Sequence, residues 1–116
     1  MSFRFFFASL ASVLGISFST LAAADSIGVD LARSNNCLAC HQIDQKRVGP
    51  SFKLISQRFA NQDGALDYLA TTIRQGGRGR WGAVPMPAQP QVSPANAQLI
   101  AAWILTLANN KAPETK

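Results

Sequence analysis

The chain has 116 residues, 47% of them hydrophobic, with 11 Lys and Arg against 6 Asp and Glu, two cysteines and a formal charge of +5. This length leaves room for one compact domain and excludes a second. The basic residues are scattered without aromatic interleaving, a pattern that gives a solvated face rather than a nucleic-acid surface and suits an acidic protein partner.

The first residues read as an export signal. Arg4 supplies a short positive segment, and the apolar run from Phe5 to Phe18 is too short to span a bilayer comfortably. Leu21-Ala22-Ala23-Ala24 then offers the small residues that a signal peptidase requires. Residues 1–24 are expected to be cleaved, with a working domain at 25–116 in the periplasm and no membrane insertion afterwards; an uncleaved anchor is the competing reading. Removing 24 of the 116 residues leaves 92, of which ten are basic and six acidic. A domain of that size is marginal on apolar burial alone and calls for a staple.

Ile27 and Leu31 recur at near-helical spacing and predict a short helix up to Asn36. It leads into Cys37-Leu38-Ala39-Cys40-His41. In an exported chain two cysteines could form a disulfide, and Cys-x-x-Cys could be a thioredoxin-like dithiol. The histidine that follows, and the lack of any alternating strand pattern, point instead to c-type haem attachment: two thiols on one turn add to two vinyl groups, and the adjacent imidazole reaches the iron.

Val48-Gly49-Pro50 breaks the chain, and Phe52, Ile55 and Phe59 then mark the apolar face of a second helix. Asp63 is placed to cap a third, with Leu66, Leu69, Ala70 and Ile73 facing inward and Gly76-Gly77 ending it. Ser93 and Pro94 form the N-cap and first turn of the last helix, whose expected stripe is Leu99, Ile100, Trp103, Ile104 and Leu107, before a tail that frays from Asn109. The fold class is therefore all-α, about four helices wrapped around one covalently bound haem that supplies the missing core and acts as the staple.

A low-spin iron with His41 on one side requires a second axial ligand. After the signal the chain holds one His and one Met, so Met86 competes only with a lysine, a tyrosine or an open position. A lone methionine is ordinarily core filler. Val84-Pro85-Met86-Pro87, however, fixes the backbone on both sides and suits a rigid loop that presents one side chain to a buried site.

These residues resemble the short, soluble, bacterial class I cytochromes c, which donate electrons to nitrite reductases and terminal oxidases. The resemblance covers nearly all of the chain after the signal. It rests on Cys37-Leu-Ala-Cys40-His41-Gln-Ile-Asp44, Lys46-Arg-Val-Gly-Pro50, Phe52-Lys53 through Phe59-Ala60, Trp81-Gly-Ala-Val-Pro85-Met86-Pro87 and the last helix with Trp103. It implies haem c held by Cys37 and Cys40, with His41 and Met86 as axial iron ligands. It further implies that the Pro50 carbonyl binds the other nitrogen of His41, that Trp81 lies near a haem propionate, and that Arg78 and Arg80 help to offset propionate charge. The chain departs from the family at Ala88-Gln89-Pro90-Gln91, where relatives often carry an Asn near the methionine sulfur.

The function expected is that of a monomeric one-electron carrier, not an enzyme, docking on acidic redox partners through basic residues drawn from Lys46, Arg47, Lys53, Arg58, Arg78 and Arg80. Two alternatives remain open at this point: a cytochrome subunit of a larger dehydrogenase or oxidase, and a haem enzyme or gas sensor with an open sixth site.

Overall fold

Serine or glycine marks the start of three of the helices and the end of one. In the computed structural model, which describes residues 21–109, four helices follow in order: α1 Leu21–Ser34, α2 Phe52–Phe59, α3 Ala65–Gln75 and α4 Pro94–Thr106. A single 3-10 turn, Cys37–Ala39, lies between α1 and α2. Among the described residues the only β pairing is two isolated bridges, His41 with Lys46 and Gly77 with Met86. Most of the expected signal, residues 1–20, and the tail beyond Asn109 lie outside the described residues. No helix among the described residues is long and apolar enough to cross a membrane.

The cap at Ser93 forms as expected: its Oγ accepts from the Asn96 N–H at 3.1 Å, with Pro94 in the first turn, where a missing N–H costs nothing. Ser51 caps α2 in the same way, accepting from the Leu54 N–H at 3.1 Å. The expected cap of α3 does not form. Gly64, with φ of 74°, occupies the N-cap position, so Asp63 falls one residue too early to receive the first-turn N–H groups.

Helix α4 is the hub, packing against α1, α2 and α3. Phe52, Ile55 and Phe59 are all buried, as their spacing predicts, together with Leu69, Ala70 and Ile73 of α3 and Ile100, Trp103 and Ile104 of α4. Three positions expected inside are exposed: Ile27 (47%), Leu66 (38%) and Leu99 (41%). Their places are taken by small residues that let the helices approach: Gly28 and Ala32 on α1, Ala65 on α3, and Ala97 and Ala101 on α4. At the α1–α4 crossing the backbone of Gly28 lies directly against Trp103. Ser56 ties α2 to the end of α4, its buried Oγ donating to the Leu105 carbonyl (3.1 Å) and accepting from the Ala108 N–H (2.8 Å).

Candidate haem-binding site

An apolar cavity of about 320 Å³ opens at the centre of this helix set. Its floor is core side chains, among them Phe52, Ile55, Leu69, Ile73 and Ile100. Cys37, Cys40, His41, Pro50, Trp81 and Met86 all line it, with Arg78 and Arg80, whereas Lys46, Arg47, Lys53 and Arg58, expected at a docking face, do not. A wide apolar hollow with thiols, an imidazole and a thioether at its edges is what a large flat macrocycle with a central metal ion requires, and the donor set fits haem c.

The attachment segment is built locally. Asn36 adopts a left-handed conformation (φ 59°) and turns the chain out of α1 into the 3-10 turn, which carries Cys37 and delivers Cys40 and His41 immediately after it. Both thiols are free and half-buried. Burial pushes the Cys37 thiol above its ordinary value, a backbone hydrogen bond opposes the shift, and Cys40 adds to it slightly.

His41 is 8% exposed and held on three sides. Its Nδ1 lies 2.7 Å from the Pro50 carbonyl oxygen; since a carbonyl only accepts, Nδ1 carries the proton and Nε2 is left as the nitrogen with a free lone pair. Phe52 stacks on the ring (5.1 Å between centroids, 26° between planes) and passes the contact on to Trp103, edge to face at 5.1 Å. Gly49 covers another side: a Cβ there would lie 2.6 Å from His41 Cε1. The loop that supplies Gly49 and Pro50 is folded back by the Gly49 N–H donating to the Cys40 carbonyl (2.8 Å) and the Phe52 N–H donating to the Gln42 carbonyl (2.8 Å).

Met86 reaches the cavity from a loop clamped at its base. Gly77 N–H donates to the Met86 carbonyl (3.0 Å), and Met86 N–H donates to the Gly77 carbonyl (2.8 Å). Gly76 ends α3 with φ of 78°, and a Cβ there would lie 2.6 Å from the Met86 carbonyl oxygen, so glycine is needed both for the turn and for the close approach. Gln89, in the segment that departs from the family pattern, also lines the cavity, and its N–H donates to the Ile73 carbonyl (3.1 Å).

Sequence reasoning missed three contributors: Phe52 as the ring against His41, Gly49 as its cover, and Arg58, whose guanidinium lies 4.5 Å from the Trp81 ring centroid. Phe52 was legible only as a core position. Nothing in a linear pattern pairs an arginine with an indole 23 positions away. Arg78 and Arg80 both line the cavity, but the Arg80 guanidinium is laid over the Tyr68 and Phe59 rings at 4.8 and 5.3 Å.

Residues 26–108 match the cytochrome c family. Cytochrome c-552 of Nitrosomonas europaea is 51% identical over 78 residues, covering 67% of this chain and 76% of that protein. Cytochrome c-551 of Azotobacter vinelandii is 48% identical over 79 residues, covering 68% and 95%. The crystal structure of the Nitrosomonas europaea protein superposes with a TM-score of 0.67, covering 68% of this chain and 98% of that one. With a family match across nearly all of the described residues and relatives at up to 51% identity, the chain belongs to the cytochrome c family, as a small class I cytochrome c that transfers electrons through one covalently bound haem c.

Proposed function

We propose that His41 and Met86 are the axial ligands of the haem iron, that Cys37 and Cys40 carry the two thioether bonds, and that residues 1–24 direct export to the periplasm and are then removed. The observation that carries this reading is the single cavity that gathers both thiols, an imidazole already fixed through Nδ1, and the chain's only methionine other than Met1.

When bound, the haem supplies a one-electron couple between ferrous and ferric iron. The chain's residues do the rest. Cys37 and Cys40 would hold the group covalently, each thiol adding its S–H across one vinyl group, sulfur to one carbon and hydrogen to its neighbour, with no net oxidation. The Pro50 carbonyl holds the His41 tautomer and ring direction and strengthens its donation through Nε2. Met86 contributes a soft thioether, which favours the reduced form and raises the potential. Trp81, half-buried, and Arg78 both line the cavity, and in this reading the indole N–H donates to a propionate while Arg78 offsets its charge.

The protein acts as a monomeric carrier rather than an enzyme: His41 is the only histidine of the chain, and once it binds iron no second imidazole remains for acid–base work on a substrate. Electrons leave where the cavity meets solvent, at Val48 (52% exposed) and Val84 (65% exposed), which line it together with Arg78, while the exposed Lys46 and Arg47 directly precede Val48 in the chain. Such a surface suits a small, transient interface with an acidic redox partner. Expression with a c-type maturation system should yield, in the periplasm, a chain beginning at Asp25 whose mass is increased by one haem. Recovery of a haem-free chain, or of an uncleaved one in the membrane fraction, would contradict the reading.

A further inference from the structure

The loop between Gly77 and Met86 is weakly held by its own residues. Gly79 and Gly82 have positive φ, and Val84 and Pro85 are exposed. Beyond the paired hydrogen bonds at its base, its middle is fastened from two helices. Arg58 of α2 donates from Nη1 to the Arg80 carbonyl (2.9 Å) while its guanidinium lies over Trp81 (4.5 Å to the centroid). Arg80 in turn lies over Tyr68 of α3 (4.8 Å) and Phe59 of α2 (5.3 Å), two rings stacked on each other at 5.2 Å. The ion pairs found among the described residues, Arg33 with Asp30 and Lys53 with Asp44, involve neither arginine, so no carboxylate competes with the rings for them.

The geometry points to Arg58 and Tyr68 as positioning residues for Met86: through Arg80 and Trp81 they hold the methionine loop on the cavity and set how often the thioether leaves the iron. This rests on the reading of Met86 as an axial ligand. A segment with little buried surface opens locally at a rate governed by such contacts, and an added ligand can reach the iron on that side only during an opening. One cation–ring contact at an exposed site shifts an opening equilibrium by about two- to fivefold. Arg58 adds a charged hydrogen bond to its ring contact, so its loss shifts the equilibrium by about tenfold or more.

The test is titration of the ferric haem-loaded protein with imidazole, followed optically, alongside denaturant unfolding. Arg58→Ala should bind imidazole about tenfold more tightly than the wild type and Tyr68→Leu about threefold more tightly, while Tyr68→Phe, which keeps the ring, behaves as wild type. Arg58→Lys keeps the charge but loses the planar fork, and should fall between wild type and Arg58→Ala; it and Tyr68→Leu decide the matter if Arg58→Ala fails to accumulate. Unchanged imidazole affinity in Arg58→Lys and Tyr68→Leu overturns the proposal even if their unfolding midpoints fall, because a merely structural role would lower stability alone. A wild-type ferric spectrum without a sulfur-to-iron charge-transfer band would overturn the ligand reading and the proposal together. The band present with affinities unchanged would overturn the proposal alone.

Discussion

Gly28→Ala should be among the most damaging single-methyl changes in this protein. On an exposed helix position alanine is favoured over glycine by about 1 kcal/mol. At Gly28 the added Cβ would collide with Trp103 Cβ, lie 2.7 Å from Trp103 Cγ and sit 3.2 Å from the Leu99 carbonyl oxygen. These atoms are the root of a buried indole and a helix backbone, neither of which can swing aside, so α1 and α4 must part. Overpacking of this kind costs roughly 1–3 kcal/mol, and parting the helices also loosens contacts around the fully buried Ala32. A net loss of about 2 kcal/mol corresponds to roughly 8–16 °C in the unfolding midpoint of a domain this small. Thermal unfolding of the haem-loaded protein, followed by far-ultraviolet circular dichroism, measures it. Gly64→Ala is the control: nothing lies within 4 Å of its Cβ, and its φ of 74° limits the cost to about 1–2 kcal/mol of backbone strain. A midpoint for Gly28→Ala equal to or above that of the wild type would refute the idea that α1 docks through this contact.

Other perturbations separate the remaining parts of the structure. Ser56→Ala strands the Leu105 carbonyl and the Ala108 N–H in a buried setting and should cost about 2 kcal/mol in denaturant unfolding, with the haem spectrum unaltered. Gly49→Ala drives a methyl group into His41 Cε1, at 2.6 Å in the present geometry, and should lower haem incorporation and shift the reduction potential, whereas an effect confined to stability would argue that the imidazole is not held there. Replacing both Cys37 and Cys40 by Ala should abolish haem staining on a denaturing gel; persistent staining would show attachment elsewhere. Electron transfer to an acidic partner should slow as ionic strength rises, and a rate that rises with salt would count against the basic rim as the docking face.

How far the sequence could be read depended on the range of the interaction. The attachment turn and the Ser93–Pro94 cap are short-range patterns and appear where the residues place them. Helix faces were less legible. Leu99 and Ile100 are neighbours of nearly equal hydropathy, yet one is exposed and the other buried, because α4 is apolar almost all round and its contacts with three helices, not its periodicity, choose the inner face. Small residues carry the close crossings, and Gly28, Ala97 and Ala101 have little hydrophobic weight in any pattern. Asp63 failed as a cap because Gly64, able to take a positive φ, shifts the start of α3 by one residue. Phe52 against His41 and Arg58 over Trp81 depend on tertiary geometry that no local spacing encodes.

The central claim is that Met86, from its clamped loop, binds the iron opposite His41. The near-infrared absorption spectrum of the ferric haem-loaded protein tests it most directly, taken beside that of Met86→Ala. A weak sulfur-to-iron charge-transfer band in the wild type that vanishes in Met86→Ala, with carbon monoxide binding rapidly only to the reduced variant, is the predicted result. A wild type without the band, or a Met86→Ala protein that retains it, would contradict the claim.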